Sequence, residues 1–313
     1  MLFLLKKILP QLFISIILED KKSILKASIY RNQKLLSSTE KTFNKSEKAL
    51  EHVKNLSKKF LFFHTALFLN AKEQGLIPST NEKDFERFNV GKISLKSIPL
   101  NNASIFTATE HVEYFNELFE DYNGLDFLYS PFALLYYNIL KQNINNNQIT
   151  LYAYNHNHII TIMVCKNNTI LYGDLIFFNQ ELENSEEYSN ESSENLLGDE
   201  LTLDDFNENL ENSSDKEDNV ELSDETDNEF NLEELNQFSH DMDLCRHIIA
   251  SIEKFYKDEK YSGTFIEYIY IFSEKELGIS AIEFLEDETF LEITAKQVNT
   301  LELMIELMQK ELQ

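Results

Sequence analysis

Three short runs near the start of the chain set its first pattern. Leu12–Leu18 is almost wholly apolar, Ser23–Tyr30 alternates after the charged turn Glu19-Asp20-Lys21-Lys22, and Lys34–Thr42 continues in the same manner. Runs of this kind bounded by polar turns predict three short antiparallel strands. From Ser46 to Phe60 the period changes. Leu50, Val53, Leu56 and Phe60 stand three or four apart, which predicts a helix. Phe62–Leu69 reads as strand again, and the polar stretch 70–92, with Gly75 and Pro78, reads as loop or a small insertion. Ala103–Ala108 predicts a strand. Glu110–Asp121 predicts a helix with Val112, Phe115, Leu118 and Phe119 on one side, and Leu125–Tyr129 a strand. Ser130-Pro131 sets an N-cap residue before a proline at the first helical position, so a helix is expected to about Lys141.

An Asn-rich linker, Asn143–Asn147, separates this half from a second that restarts the pattern. Ile149–Tyr154, Ile159–Cys165 and Thr169–Phe178 predict three strands, with turns at Asn155–His158 and Asn167-Asn168. A long helix is expected from about Leu232 to Lys257. A strand at Phe265–Phe272, a helix at Ser280–Leu285 and a short strand at Phe290–Thr294 follow. Val298, Leu301, Ile305, Met308 and Leu312 form the stripe of a final helix, expected to be a packed face, with a partner-binding face as the alternative. Each half opens with a three-strand meander and goes on to alternate helix with strand, which places the chain in the α/β class. The division expected is 1–142 for the first lobe and 143–313 for the second. The halves share pattern, not sequence.

Charge changes the picture next. The 313 residues hold 28 Lys+Arg and 54 Asp+Glu, a net of −26. Of this, −21 lies between Glu181 and Glu234, where 22 acidic residues meet one lysine, Lys216. The rest of the chain is near balance. The segment 180–231 is rich in Asn, Ser and Glu and poor in aromatics, so it is expected to be a disordered insertion within the second lobe. A patch from Leu196 to Phe206 could act as an acidic-hydrophobic docking motif. An acidic chain of this kind is a poor match for sequence-independent nucleic-acid binding. Hydrophobic residues at 42% and aromatics at 12% exclude a wholly disordered chain.

Candidate chemistry is sparse. Met1–Pro10 is apolar but split by Lys6-Lys7, lacks a small-residue cleavage site and is too short to span a bilayer. It is expected to be a short helix packed on the domain, with an interfacial anchor as the alternative. Cys165 and Cys245 form no CxxC pair, as in a reduced chain. His156 and His158 stand i,i+2 but with no third ligand nearby, so a polar turn is expected and no metal. Asp241 and Asp243, beside His240 and His247, are expected to favour the dipole at a helix start. No Walker loop, His-Glu-x-x-His or Gly-x-Ser-x-Gly turn is present.

The double pattern resembles the two-lobed actin-like ATPase fold, a duplicated ribonuclease H-like architecture. Within it the chain looks most like PilM-type pilus-assembly proteins and the cytoplasmic domain of the type II secretion L protein. The matching stretches are Ala103–Phe115 with Tyr122–Leu135, and Ile149–Phe178 with the helix 232–257 and the strand Tyr268–Phe272. In that superfamily Asp- and Gly-bearing turns, one opening each half, bind phosphate, and a glycine pair ends the adenosine-side strand. Here the turns read Leu18-Glu19-Asp20-Lys21-Lys22-Ser23 and Ala153-Tyr154-Asn155-His156, and the strand ends Ile271-Phe272-Ser273-Glu274-Lys275. Only 7 glycines occur in the whole chain. Charges such as Asp20, Lys21 and Lys22 do not by themselves make a phosphate nest. The expectation is therefore no nucleotide cofactor and no enzyme.

The resemblance implies a non-catalytic cytoplasmic scaffold, peripheral to the inner membrane, in a type II secretion, type IV pilus or DNA-uptake machine. Its implied partners are the tail of a bitopic inner-membrane protein and a motor ATPase. Expected contact residues are Phe106, Val112, Phe115 and Phe119 in the first lobe and Leu301, Ile305 and Met308 on the final helix. The alternatives are a divergent actin-like ATPase or kinase relative, and an acidic interaction protein acting through its insertion.

Overall fold

In the computed structural model the first meander is β1 (Gln11–Leu18), β2 (Ser23–Arg31) and β3 (Lys34–Phe43). It is followed by α1 (Ser46–Ser57), β4 (Phe62–Phe68), β5 (Gln74–Ile77), β6 (Leu95–Leu100), β7 (Ala103–Ala108), α2 (Thr109–Glu120), β8 (Phe127–Tyr129) and α3 (Pro131–Gln142). The second half holds β9 (Ile149–His156), β10 (Ile159–Lys166), β11 (Thr169–Phe177), α4 (Leu232–Lys257) and β12 (Tyr268–Ser273). It ends with α5 (Ile279–Thr289), β13 (Glu292–Gln297) and α6 (Thr300–Glu311). The structure describes residues 8–19, 21–91, 94–142, 147–178, 232–261 and 263–312. Outside 180–235 these form one unit, and within 180–235 only the first residues of α4 are described. The expected disordered insertion 180–231 and its Leu196–Phe206 patch, Met1–Lys7, Asp20 and most of the 143–147 linker lie outside the described residues.

Two five-stranded mixed sheets form, ordered β3-β2-β1-β4-β8 and β11-β10-β9-β12-β13. In each, the meander is antiparallel and the later strands run parallel to its first strand. β1 and β9 are apolar along nearly their whole length because both of their faces are covered. In the first sheet, Leu12, Ile14 and Ile16 pack with Leu50 and Val53 of α1 and Phe119 of α2. In the second, Leu151, Ala153, Ile160 and Ile162 pack with Leu244 and Ile248 of α4 and Leu285 of α5.

The remaining faces are covered by an exchange. α3 follows the first sheet in sequence but packs on β9 and β10 of the second, while α6, the last helix, packs on β1, β2 and β4 of the first. The two helices also touch each other. One core results, joining Phe13, Ile17 and Phe68 to Tyr152, Tyr154 and Met163 through Phe132, Leu135, Ile305 and Met308. Ser130 caps α3 as its sequence predicts, its Oγ accepting from the Phe132 N–H at 3.3 Å.

Within the stretch 70–92, read as loop or a small insertion, Gln74–Ile77 is instead a strand of a third sheet, ordered β5-β7-β6. β5 is only four residues long, and β6 is mostly exposed and carries Pro99, so neither presents an apolar period. β6 is an edge strand, where a missing N–H is tolerated. Gln74 anchors this sheet: buried, its Nε2 donates to the carbonyls of Leu69 (2.9 Å) and Ala71 (2.8 Å), and its Oε1 accepts from Ser130 Oγ at 2.7 Å. β5 lies against β11, where a Cβ on Gly173 would stand 2.7 Å from Leu76 Cδ2. Gly173→Val is expected to lower stability by about 1–3 kcal/mol, the usual cost of overpacking. Urea unfolding checks it, with Gly91→Ala, whose Cβ would make an ordinary 3.5 Å contact, expected within about 0.5 kcal/mol of wild type.

Candidate functional site

The β1–β2 turn, the β9–β10 turn and the end of β12 meet at one place between the lobes. At the first turn, the Glu19 N–H donates to the Lys22 carbonyl (2.9 Å), and the Glu19 carboxylate stands 3.6 Å from Lys22 Nζ. The same carboxylate accepts a short hydrogen bond from Asn157 Nδ2 across the lobes. Asn157 holds the second turn with φ of 50°, a left-handed position that asparagine tolerates better than most residues. Its carbonyl accepts from His240 Nε2 of α4 at 2.9 Å, so that nitrogen carries the proton. Burial opposes charge on His240, but Asp241 and the Asn157 carbonyl outweigh it and hold its pKa above the ordinary value.

The second contact is more deeply enclosed. His156, read as a turn residue, is the last residue of β9 and is 2% exposed. Its Nδ1 stands 2.9 Å from the Glu274 carboxylate and 3.2 Å from Thr300 Oγ1, and its ring packs 4.6 Å from that of Phe68. Thr300 Oγ1 also bonds Tyr154 OH at 2.5 Å. Thr300 is the first residue of α6, whose N-cap Asn299 accepts from Glu302 N at 2.8 Å. The Thr300 N–H points to Glu274 at 3.4 Å. The Glu274 carboxylate is thus an internal anion at a helix N-terminus, a position that favours negative charge. Burial by itself would raise the pKa of Glu274. The hydrogen bond and charge of His156, with Thr300, outweigh it and leave the pKa below the ordinary carboxylate value.

Asp241 is also not at a helix start. It lies on the third turn of α4, 2% exposed, and accepts from Gln237 Nε2 (2.6 Å) and from the N–H of Gly278 (2.9 Å), the N-cap of α5. It fastens α4 to α5 rather than complementing a dipole at the end of its own helix. Among the described residues no group of three or more His, Cys, Asp or Glu could hold a metal ion. Cys165 and Cys245 are free and buried, and burial pushes both thiols up to about 12, so neither is a reactive thiolate at neutral pH.

The seven expected contact residues are not brought together. Leu301, Ile305 and Met308 are at most 4% exposed and lie in the core shared by the lobes, and Phe119 is fully buried under the first sheet. Their stripes are packing faces, the expectation held first for the final helix, and these four residues are not a docking surface. Val112 and Phe115 on α2 are half-buried. Phe106 on β7 is half-buried too and borders a cavity of about 170 Å³ with Leu76, Phe88, Val90, Leu175 and Tyr261.

The sign of the Glu274 contribution follows from its lowered pKa. Its stabilisation is fully present above its unfolded value of 4.5 and is lost as pH falls through the lower folded value. Glu274→Gln is therefore expected to be less stable than wild type at pH 7. The gap should narrow as pH falls below 4.5, which urea midpoints taken from pH 7 to pH 3 check.

Residues 9–136 match the family model described as Domain of unknown function (DUF8569), and residues 151–313 match Domain of unknown function (DUF8341). No curated protein matches the sequence. A Bacteroides thetaiotaomicron protein with actin-like ATPase fold and unknown function is similar over 97% of this chain and 98% of that one, at 13% identity and a TM-score of 0.53. The structure of a PilM-PilN type IV pilus biogenesis complex is similar over 93% of this chain and 89% of that one, at 12% identity and a TM-score of 0.54. At such identities the likeness shows the fold, and the fold is the two-lobed actin-like ATPase fold. The model spanning 151–313 covers more than half of the chain, and the chain belongs to the family it describes, the domain of unknown function DUF8341.

Proposed function

We propose that this protein is a non-catalytic scaffold of PilM or type II secretion L-protein kind, peripheral to the inner membrane in an assembly platform. One observation carries the reading: in the cleft where actin-like folds seat phosphates, this chain's own carboxylates hold the donors. Glu19 engages Asn157, and Glu274 takes His156 and the N-terminus of α6. A nucleotide's phosphates need converging N–H groups or cations, and they would meet two anions here. These residues do not fit a nucleotide.

The fold likeness to the PilM-PilN complex supports a partner-binding role. Among the described residues no helix is long and apolar enough to cross a membrane, in keeping with a chain recruited by a membrane protein's tail. Of the expected contact residues, Phe106 keeps some surface and borders a cavity, and this reading seats the tail there. The motor ATPase is the second partner of this reading.

Calorimetric titration with ATP and magnesium is expected to give no saturable heat, and micromolar binding would instead favour an ATPase or kinase relative. Affinity purification from a membrane extract is expected to recover a bitopic membrane protein and a motor ATPase. Phe106→Ala is expected to weaken the tail by about 2 kcal/mol or more, roughly 30-fold, as for a buried aromatic anchor. Recovery of neither component by the wild-type chain would sink the reading.

A further inference from the structure

The end of the first sheet remote from the cleft gathers exposed leucines and cations with few acids. The strand register places them. Leu35 of β3 pairs with Tyr30, Tyr30 with Gln11, and Gln11 with Phe62, so these four lie in one row across the sheet. One residue further out stand Lys34, its partner Arg31, and Leu61. The pairing skips Leu36, because Ile29 opposes Ser37 while Tyr30 opposes Leu35. This bulge re-aims Leu36 at a sheet edge. Leu35, Leu36 and Leu61 are 54%, 55% and 71% exposed. The hairpin tip between Arg31 and Lys34 is held by Asn32 and Gln33, both at positive φ, a tight two-residue turn that presents these side chains on a firm base.

Charge is equally one-sided. Residues 28–38 and 52–63, toward this end of the strands and of α1, contain five Lys and Arg and no Asp or Glu, in a chain with 54 acidic residues. Lys58 and Lys59, at the end of α1, are exposed beside Leu61. The pKa of His52 is lowered first by burial and then by the positive charge of Lys41 and Lys59. The acids nearby are Glu51 and Asp121, beside Lys54, and Glu302 and Glu306, near Tyr30.

We propose that this end of the first sheet, formed by the β2–β3 hairpin tip and the α1–β4 junction, is a contact surface for an anionic phospholipid membrane. Leucines on a firm turn, ringed by cations, suit an interface where apolar side chains enter the acyl boundary and cations meet headgroup phosphates. A soluble partner of opposite charge would satisfy the lysines but not three separately exposed leucines. The net charge of −26 does not forbid the contact, because at physiological salt the potential decays over about 8 Å and the membrane reads the local surface. Ile8, just before β1 at this same end, is itself 62% exposed. The inference goes beyond the scaffold reading and does not depend on it.

The test is flotation of the full chain with vesicles of phosphatidylglycerol and phosphatidylcholine, against vesicles of phosphatidylcholine alone. Binding is expected only with the anionic vesicles and is expected to weaken as salt rises. Arg31→Gln with Lys34→Gln should lower partitioning roughly 30-fold, at about 1 kcal/mol for each cation near an anionic surface. Lys58→Gln with Lys59→Gln should act similarly from a different element, and Leu35→Ser with Leu36→Ser should lower partitioning at least tenfold. All six residues are exposed, so the variants' melting temperatures are expected to match wild type and to separate lost binding from lost folding. No partitioning to anionic vesicles, equal partitioning to both, or wild-type partitioning by all three variants overturns the proposal.

Discussion

The exchange of α3 and α6 between the two sheets is the constraint on which the rest of this structure depends. Each sheet has one face covered by helices of its own half and one covered by a helix of the other half. Neither face can be stripped without exposing several fully buried side chains, among them Phe132, Leu135, Ile305 and Met308. The lobes are therefore joined by a continuous core rather than by a flexible linker. The first residue of α6 carries that core into the cleft, because Thr300 bonds both Tyr154 and His156.

The cleft is organised by internal anions. Glu274 sits at the N-terminus of α6 and pairs with His156, and Glu19 reaches across to Asn157, whose carbonyl in turn takes the His240 N–H. Hydrogen bonds to ionised groups are stronger than neutral ones, and in a buried place they are costly to leave half-made. The arrangement closes the lobes on each other with the chain's own groups. A cleft that opened and shut around a phosphate chain would have to break these contacts and replace two carboxylates' partners at each cycle.

Much of this was legible in the sequence, for a physical reason. Strands covered on both faces leave near-continuous apolar runs, so β1, β9 and β10 announce themselves, and the long stripe of α4 gives its full extent from Leu232 to Lys257. The small sheet was hidden because β5 is short and β6 exposed, so no period of two survives. The contact residues failed for a different reason. A stripe such as Leu301, Ile305 and Met308 has the same spacing whether it faces a partner or the protein's own second lobe, and only the chain's topology distinguishes the two. Asp241 and His156 misled in the same way, since their roles lie in contacts with residues more than thirty and a hundred positions away. At the two glycine-free turns and the glycine-free strand end stand Glu19, His156 and Glu274, whose partners across the cleft no local pattern announces.

The central claim is that the two lobes are welded by one core and closed by their own side chains. Differential scanning calorimetry of the full chain, with and without millimolar Mg-ATP, tests it most directly. The account predicts one cooperative transition, with equal calorimetric and van't Hoff enthalpies, superimposable in the two conditions. Two separable transitions, or a melting temperature that rises with nucleotide, would contradict it.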